Sequence, residues 1–370
     1  MIAQDDVENE KKEVLNACPY ADVCGGCALA SLSKEEYEDR KINRLREILT
    51  PLNPLPALET AFVPLQTRRR VTFGLFFNKV SRYFGLNERK SAKIVSIDSC
   101  ALLTPALQTL IPSLRSFFTD KTLPFFKREG TGDVSLTQTT TGTDMVVCLP
   151  FSPDLTWRQR LADFAVANSV ARVSWKQKTH ETPELLLSLA KPVVELGGFP
   201  VEIPSGCFLQ PSVDGQNVLI EFVKKAVGKK AKNIADLFCG AGTFSLALLE
   251  KKRKVFAVDC VTDALNALFK ASQGRIKVEE RDLFKTPLLF DELNGFDAVV
   301  IDPPRAGAKA QCSRLIDSDV PVIVYVSCNP ETFVADALVL EKGGFKMTDL
   351  QLVDQFVCSE HTELAACFQR

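Results

Sequence analysis

The chain has 370 residues, 46% of them hydrophobic and 25% charged, and a formal net charge of −1 at pH 7. This composition is typical of a soluble globular protein, and the length predicts roughly two or three domains. The near-zero charge excludes a globally basic nucleic-acid binder, and no apolar run reaches the roughly 18 residues of a membrane span.

The first half of the chain, residues 1–205, predicts a mixed α/β region. Ser33 to Leu49 has the apolar spacing of an amphipathic helix, which we expect to pack against the second half. Alternating apolar residues between Arg68 and Lys93 predict a β-hairpin that turns at Asn78-Lys79. Further strands are predicted at 134–139 and 145–149.

The hairpin segment is locally basic. From Arg68 to Lys93 it holds eight basic residues and one acid, Glu88. The run Arg68-Arg69-Arg70 could follow RNA phosphates. Equally, the basic residues could be a solvated strand edge that opposes aggregation. The sequence leaves both interpretations open.

The second half, residues 206–370, alternates strands and helices and therefore predicts a parallel sheet with helices on both faces. We expect Thr262 to cap the second of three helices and Pro330 to begin the third. The predicted helices are 243–251, 263–272 and 330–342. The predicted strands are 233–238, 254–259, 276–282, 297–302, 320–327, 345–356 and 363–368.

Ligands in such sheets bind at the carboxyl ends of the strands. The residues expected there are Cys239-Gly240-Ala241-Gly242-Thr243, Asp259, Asp282, Asp302 and Cys328. The glycine turn lacks the third glycine of a dinucleotide fingerprint, and an acid at the next strand end fits S-adenosylmethionine better. A plain tight turn is the alternative. Asp302-Pro303-Pro304 at a third strand end favours a nucleobase methyltransferase.

Four segments, DLFCGAGTF, IDPPRAG, VSCNPET and the closing EHTE, occur in an order and at intervals that resemble the RNA (uracil-5-)-methyltransferase family. The resemblance covers nearly the whole chain. It implies a Rossmann-like class I S-adenosylmethionine methyltransferase domain in residues 206–370, with a seven-stranded, mostly parallel sheet. An N-terminal iron–sulfur and smaller α/β region, residues 1–205, would precede it and contribute to RNA binding.

The family's reaction explains a thiol at a strand end. C5 of uracil is too weak a nucleophile to take a methyl group unless a thiolate first adds to C6, and a base must then remove the C5 proton. By resemblance, Cys328 is the nucleophile and Glu363 is the base. The alternatives are an inert buried thiol and a surface carboxylate, but a thiol between a strand end and a proline turn gains little from packing.

Other roles follow from the resemblance alone. Arg305 would meet RNA phosphate or form a salt bridge at a helix start. Cys239 is a rival nucleophile, because RNA cytosine-5 methyltransferases use two cysteines. The family's Phe-Pro-x-Thr-x-His before the base is Phe356-Val357-Cys358-Ser359-Glu360-His361 here, so the base loop could sit differently. The residues expected to line the cofactor and target-base pocket are Gln210, Phe238, Thr243, Asp259, Asp282 and Asp302.

Twelve cysteines without a secretory signal predict metal binding or catalysis in a reducing cytoplasm, not disulfides. Cys18, Cys24 and Cys27 form a C-x5-C-x2-C motif, with Cys100 as a candidate fourth ligand. Four thiolates suit either zinc or an iron–sulfur cluster. The ribosomal-RNA branch of the family carries a [4Fe–4S] cluster on this pattern, so the resemblance implies a cluster of structural role.

The sequence thus predicts a cytoplasmic enzyme that makes 5-methyluridine in RNA, without an obligate protein partner. We expect 23S rRNA as the substrate, because the tRNA branch of the family generally lacks the cluster cysteines. A tRNA uridine methyltransferase is one alternative, and a non-catalytic, cluster-bearing RNA-binding protein is another. Only seventeen residues precede Cys18, so we expect the family's N-terminal RNA-binding β-barrel to be absent.

Overall fold

A computed structural model describes residues 14–15, 17–124 and 129–370 of the chain. The prediction about an N-terminal barrel concerns the segment before Cys18, which lies almost entirely outside the described residues. Within the described ranges, no helix has the length and apolar character needed to cross a membrane.

The first half contributes ten strands and four helices to the described structure. The strands are β1 (Leu58–Phe62), β2 (Arg70–Phe77), β3 (Arg82–Asn87), β4 (Ile94–Val95), β5 (Gly130–Thr139), β6 (Gly142–Cys148), β7 (Val170–Lys176), β8 (Glu184–Ser188), β9 (Val193–Leu196) and β10 (Phe199–Glu202). The helices are α1 (Lys34–Leu49), α2 (Pro105–Gln108), α3 (Ile111–Thr119) and α4 (Leu155–Ala167).

The second half contributes seven strands and six helices. The strands are β11 (Asn233–Leu237), β12 (Lys254–Asp259), β13 (Lys277–Glu280), β14 (Ala298–Ile301), β15 (Val322–Ser327), β16 (Lys346–Asp354) and β17 (Glu363–Gln369). The helices are α5 (Val213–Val227), α6 (Thr243–Ala247), α7 (Thr262–Ala271), α8 (Phe290–Leu293), α9 (Lys309–Leu315) and α10 (Pro330–Lys342).

One sheet has eight strands in the order β1-β16-β17-β15-β14-β11-β12-β13. The seven strands predicted in the second half are all present in it. The eighth, β1, comes from the first half and pairs in parallel with β16, with Leu58 opposite Leu350 and Phe62 opposite Asp354. Only the two pairings of β17 are antiparallel. The sheet is therefore mostly parallel, as expected, but it has one strand more than the seven predicted.

A second sheet has seven strands in the order β4-β3-β2-β5-β6-β7-β8. It contains the predicted hairpin, β2 and β3, whose turn closes through a bond from the Asn78 N–H to the Ser81 carbonyl. Its core is aromatic: the rings of Trp157 and Trp175 lie 5.4 Å apart. This is the smaller α/β region expected from the sequence, and a domain boundary near residue 205 stays a prediction.

Helix α1 begins with a capping box, in which Ser33 and Glu36 satisfy each other's main-chain N–H groups. Leu45 and Leu49 are buried in the same core as the eight-stranded sheet, so the helix packs against the second half as expected. Lys41 is also fully buried on this face, which the apolar pattern did not indicate.

The prediction that Thr262 caps a helix is wrong. The N-cap of α7 is Val261, and Thr262 is the first helical residue. Its hydroxyl donates to the Glu280 carboxylate on β13 at 2.7 Å instead. The side chain thus ties the helix start to the neighbouring strand.

The three arginines that enter the hairpin point inward. Arg69 is buried and donates to the Gln210 carbonyl at 2.9 Å and to the Gln216 side chain at 2.8 Å. Arg70 donates to the Leu209 carbonyl at 2.6 Å, and Arg68 to the Arg70 carbonyl at 3.0 Å. Arg69 and Arg70 thus tie the start of β2 to the segment that leads into α5, so Arg69 in particular is not a surface contact for phosphate.

We predict that Arg69→Met lowers the free energy of unfolding by about 2–4 kcal/mol, because two buried acceptors lose a charged donor. Lys79→Met, at the exposed hairpin turn, is the matched control and should stay within about 0.5 kcal/mol of wild type. Urea unfolding followed by circular dichroism measures both. Equal stability of the two variants would refute the buried role of Arg69.

Candidate active site

Cys328 and Glu363 lie at the same end of two neighbouring strands. Strands β15 and β17 pair antiparallel, with Ser327 opposite Leu364. One step further along both chains brings Cys328 beside Glu363. The thiol is half-buried and the carboxyl is 2% exposed.

The turn after Cys328 is held by short polar contacts. The Ser327 hydroxyl accepts from the Asn329 N–H at 3.1 Å, and the Asn329 side chain donates to the Arg305 carbonyl at 2.9 Å. Helix α10 then begins directly at Pro330. These contacts fix the thiol against the loop Asp302-Pro303-Pro304-Arg305.

A chain of buried hydrogen bonds links Glu363 to Asp302. The Gln355 amide donates to Glu363 Oε2 at 2.9 Å and to Gln210 Oε1 at 2.7 Å. The Gln210 amide in turn donates to Asp302 Oδ2 at 3.1 Å. The predicted residues Gln210, Asp302 and Glu363 are therefore brought together.

Sequence reasoning missed Gln355, the link between these residues. The family motif before the base begins one residue later, at Phe356. The available signal was a glutamine that directly follows the buried end of β16, residues 352–354. Gln355 is 2% exposed, and its side chain packs against Gly215, where an added Cβ would lie 2.8 Å from it.

Burial dominates the electrostatics of this network. It raises the pKa of Glu363 to about 7, partly offset by the bond from Gln355. Burial and the neighbouring Glu363 raise the pKa of Asp302 well above its usual range. Burial, followed by these two carboxyls, raises the pKa of the Cys328 thiol to about 11, while Arg305 opposes the shift. The site therefore pairs a thiol with a carboxyl group of strengthened basicity.

A cleft of about 120 Å³ opens beside Cys328. Helix α1 forms one wall through Arg44 and Ile48, and Arg305 and His361 form others. Arg305 makes no ion pair with any carboxylate in the part of the chain that the structure describes, so the predicted helix-start salt bridge is not formed there. Its guanidinium is available to an anionic ligand.

The glycine turn after β11 has the open geometry expected of a ligand cradle. Gly240 has φ +54° and nothing within 4 Å of an added Cβ, whereas an added Cβ at Gly242 would lie 2.3 Å from Leu268. The Gly240 N–H donates to Asp259 Oδ2 at 2.8 Å. Helix α6 begins at Thr243, directly after the turn. Gly240 thus leaves space for a ligand, and Gly242 lets the turn pack on α7.

Beneath the turn lies a buried carboxyl with an unused acceptor. Asp236 is fully buried, and its Oδ2 accepts from the Ser245 hydroxyl, but no described group bonds its Oδ1. Burial raises the pKa of Asp236 to about 7. An orphaned buried acceptor at a glycine turn is consistent with a ligand-binding site.

Aromatic and apolar side chains flank this turn. Phe238 is held at φ +61°, and its ring lies 5.5 Å from that of Phe284. Phe284 is 49% exposed and donates its N–H to Asp282. Val261, two residues after Asp259, is exposed as well. The sequence predicted Phe238, Asp259 and Asp282 at this site but not Phe284 and Val261. The only sign of these two in the sequence is their position, two residues after an acid at a strand end.

The rival cysteine, Cys239, lies elsewhere. It is buried in the core under α5, and burial raises the pKa of its thiol well above the usual range. Its side chain does not line the cleft at Cys328. The geometry therefore favours Cys328 as the thiol that a base could reach.

A family profile described as tRNA (Uracil-5-)-methyltransferase matches residues 34–282 and 288–370. The chain belongs to this family. A protein of Zymomonas mobilis described as an uncharacterized RNA methyltransferase is 36% identical over 358 residues, which cover 95% of this chain and 88% of the relative. The resemblance expected from the sequence motifs is confirmed at the level of the family.

Two further relatives carry more specific names. The 23S rRNA (uracil(1939)-C(5))-methyltransferase RlmD of Shewanella piezotolerans is 27% identical over 365 residues, covering 95% of this chain and 81% of RlmD. The crystal structure of Pyrococcus abyssi tRNA (uracil-54, C5)-methyltransferase with S-adenosyl-L-homocysteine superposes with a TM-score of 0.73 at 23% identity. The superposed region covers 93% of this chain and 85% of the Pyrococcus abyssi chain, so the two proteins share one α/β fold.

The four predicted cluster cysteines gather at one place. Burial raises the pKa of Cys24 and Cys100, which are far apart in sequence, and the neighbouring thiols of Cys27 and Cys18 add to the rise in both. The Gly26 N–H donates to Cys24 Sγ at 3.5 Å. A fifth free cysteine, Cys358, forms a hydrogen bond with the Cys27 thiol, and this bond together with burial raises the pKa of Cys27.

These cysteines do not form the ligand set of a single bound ion. Among the described residues, no three His, Cys, Asp or Glu side chains converge on a position that could hold a metal. The iron–sulfur and zinc expectations are therefore not confirmed.

The raised pKa of Glu363 gives a signed prediction for stability. Between about pH 4.5 and 7 the folded chain keeps a proton that the unfolded chain has released, so the free energy of unfolding falls as the pH rises. The Glu363→Gln variant lacks this titrating group and so lacks this fall in stability. Its free energy of unfolding minus that of wild type should therefore increase by on the order of 2 kcal/mol from pH 5 to pH 8. Chemical unfolding at both pH values measures the change.

Glu360→Gln is the control for that measurement, because Glu360 lies in the same loop but is partly exposed. It should show no comparable increase with pH. A pH-independent difference between Glu363→Gln and wild type would contradict the buried, protonated carboxyl.

Proposed function

We propose that this chain transfers a methyl group from S-adenosylmethionine to C5 of a uridine in RNA through a covalent bond between Cys328 and C6. The observation that carries the proposal is the pairing of the Cys328 thiol with the buried, hydrogen-bonded carboxyl of Glu363 at adjacent strand ends. A nucleophile and a base are the two groups that this chemistry needs.

The steps follow from these two groups. The half-buried Cys328 thiol gives its proton to solvent in the cleft, and its thiolate adds to C6, which places negative charge on the ring and makes C5 nucleophilic. After C5 has taken the methyl group, the Glu363 carboxylate removes the C5 proton. The electron pair of that C–H bond re-forms the C5–C6 double bond, and the sulfur leaves C6. A pKa near 7 makes Glu363 a stronger base than an exposed carboxylate while a large share of it is ionised at neutral pH.

S-adenosylmethionine supplies an electrophilic methyl group when bound, and the glycine turn has the features to hold it. Open space at Gly240, the acceptors Asp259 and Asp236 Oδ1, and the apolar Phe284 and Val261 suit a ligand with hydroxyl, ammonium and purine groups. The tRNA methyltransferase of Pyrococcus abyssi holds S-adenosyl-L-homocysteine in the same fold. Roles in this pocket are proposed for Phe238, Thr243, Asp282, Gln210 and Asp302.

We propose 23S rRNA as the substrate. The named ribosomal-RNA relative, RlmD, and the four gathered cysteines support this choice. A tRNA is the second candidate, favoured by the name of the structural neighbour. A non-catalytic RNA-binding role does not account for a thiol and two carboxyls held together at a cost in desolvation.

We also propose that Cys18, Cys24, Cys27 and Cys100 bind a [4Fe–4S] cluster of structural role. Their proximity and the N–H···S bond to Cys24 support it, since thiolates that hold such clusters accept main-chain hydrogen bonds. No step of the methyl transfer depends on the cluster.

Glu363→Gln tests the order of chemical steps. It should stop the reaction after methyl transfer, so that methylated RNA stays bound to Cys328. A denaturing gel with RNA and labelled S-adenosylmethionine should show a slow, labelled band with this variant. The band should vanish in Glu363→Gln with Cys328→Ala, and Cys328→Ala alone should bind S-adenosylmethionine normally yet give no product. Normal turnover by Glu363→Gln would assign the base elsewhere, with Glu360 next to test.

Anaerobic purification tests the cluster. The protein should be brown and hold about four irons per chain, with broad absorption near roughly 400 nm. Cys100→Ser should lose the iron, whereas Cys260→Ser, at an exposed cysteine directly after β12, should retain it. Colourless protein with stoichiometric zinc would exclude the cluster.

A further inference from the structure

Helix α1 carries a fully buried charge, Lys41, which is 1% exposed. Its Nζ donates to Asp354 Oδ1 at 2.9 Å and also to the His361 carbonyl. A buried ammonium is costly unless it is paired and hydrogen-bonded. The segment 355–362 joins β16 to Glu363 and is here called the base loop. Asp354 directly precedes this loop, and His361 lies near its end.

Tyr37 lies one helical turn before Lys41 on the same face of α1. Its hydroxyl donates to the second oxygen of Asp354 and accepts from the Cys358 N–H at 3.1 Å. Tyr37 and Lys41 together hold the start, the middle and the end of the base loop. The third side chain of the group, Asp354, ends the strand that β1 pairs with.

The base loop needs such support. Cys358 has φ +62°, a left-handed conformation that is strained for a residue with a side chain. The same loop contains Gln355, which bonds Glu363 directly. Arg40 and Arg44 also reach Glu360, at 3.3 and 2.6 Å, but these partly exposed pairs are expected to contribute little. The Leu29 N–H also donates to the Cys358 carbonyl at 2.9 Å, so the buried contacts of α1 hold the loop together with this bond.

We propose that Lys41 and Tyr37 are positioning residues for the removal of the C5 proton, an inference that rests on the proposed function. They do not touch the reacting atoms. They hold the base loop so that the Glu363 carboxylate faces C5 of the nucleotide bound to Cys328. A small displacement of a catalytic group lowers the rate of its own step far more than it affects binding.

Lys41→Met tests the proposal, with Leu49→Ala as the matched control. Leu49 is a fully buried residue of the same helix whose loss should lower stability without changing the base loop. In hydrogen exchange followed by mass spectrometry, Lys41→Met should accelerate exchange across 355–362 about tenfold or more. Leu49→Ala should leave this segment as in wild type. Unchanged exchange in Lys41→Met would overturn the proposal.

The second readout is the fate of the labelled methyl group in a single turnover. At equal total transfer, Lys41→Met should hold about tenfold more label in the protein–RNA adduct than wild type. Leu49→Ala should keep the wild-type ratio of adduct to free RNA. If Lys41→Met transferred less methyl label in total but kept the wild-type ratio of adduct to free RNA, Lys41 would have only a structural role, and the proposal would be overturned.

Lys41→Met with Asp354→Asn covers the case in which the single variant fails to fold, because it removes both members of the buried pair. It should regain thermal stability yet still accumulate adduct, since the His361 carbonyl has lost its donor. A normal adduct ratio in this double variant would overturn the proposal. If wild type methylates no uridine in RNA, the proposed function fails, while faster exchange in Lys41→Met would still establish the contact between α1 and the base loop.

Discussion

The antiparallel insertion of β17 between β15 and β16 is the constraint on which the site depends. Parallel neighbours in this sheet all point their carboxyl ends to one edge, where Cys328 emerges from β15. Because β17 runs the other way, its amino end lies at that same edge and delivers Glu363. A base that begins a strand can thus stand beside a thiol that ends one.

This arrangement concentrates ionisable groups where water is scarce. Asp302 and Glu363 share a buried network, and burial raises the pKa of both. Two glutamines, Gln210 and Gln355, connect the carboxyls with neutral amide groups, which adds no charge to the pocket. Since desolvation opposes the charged forms, the folded chain is less stable than it would be with neutral groups there. Strain and desolvation of this kind are expected at functional sites.

The first half of the chain is a structural part of the site rather than a separate attachment. Strand β1 extends the eight-stranded sheet, and α1 forms a wall of the cleft beside Cys328. Arg69 bonds the carbonyl of Gln210, whose side chain belongs to the carboxyl network. The Cys27 thiol contacts Cys358 in the base loop. The cysteine group and the base loop are therefore in direct contact.

The sequence by itself determined the alternation of strands and helices in the second half, the family, and the strand ends that carry Cys328, Asp259 and Asp302. These features are local, since periodicity and turn residues act within a few positions of the chain. Only the tertiary structure decided that β1, from the first half of the chain, joins the eight-stranded sheet. It also decided that Gln355 takes part in the link between Glu363 and Asp302, and that Lys41 is buried against Asp354. Each of these depends on contacts between segments that lie far apart in sequence, and a charged or amide side chain gives no local sign that such a partner will reach it.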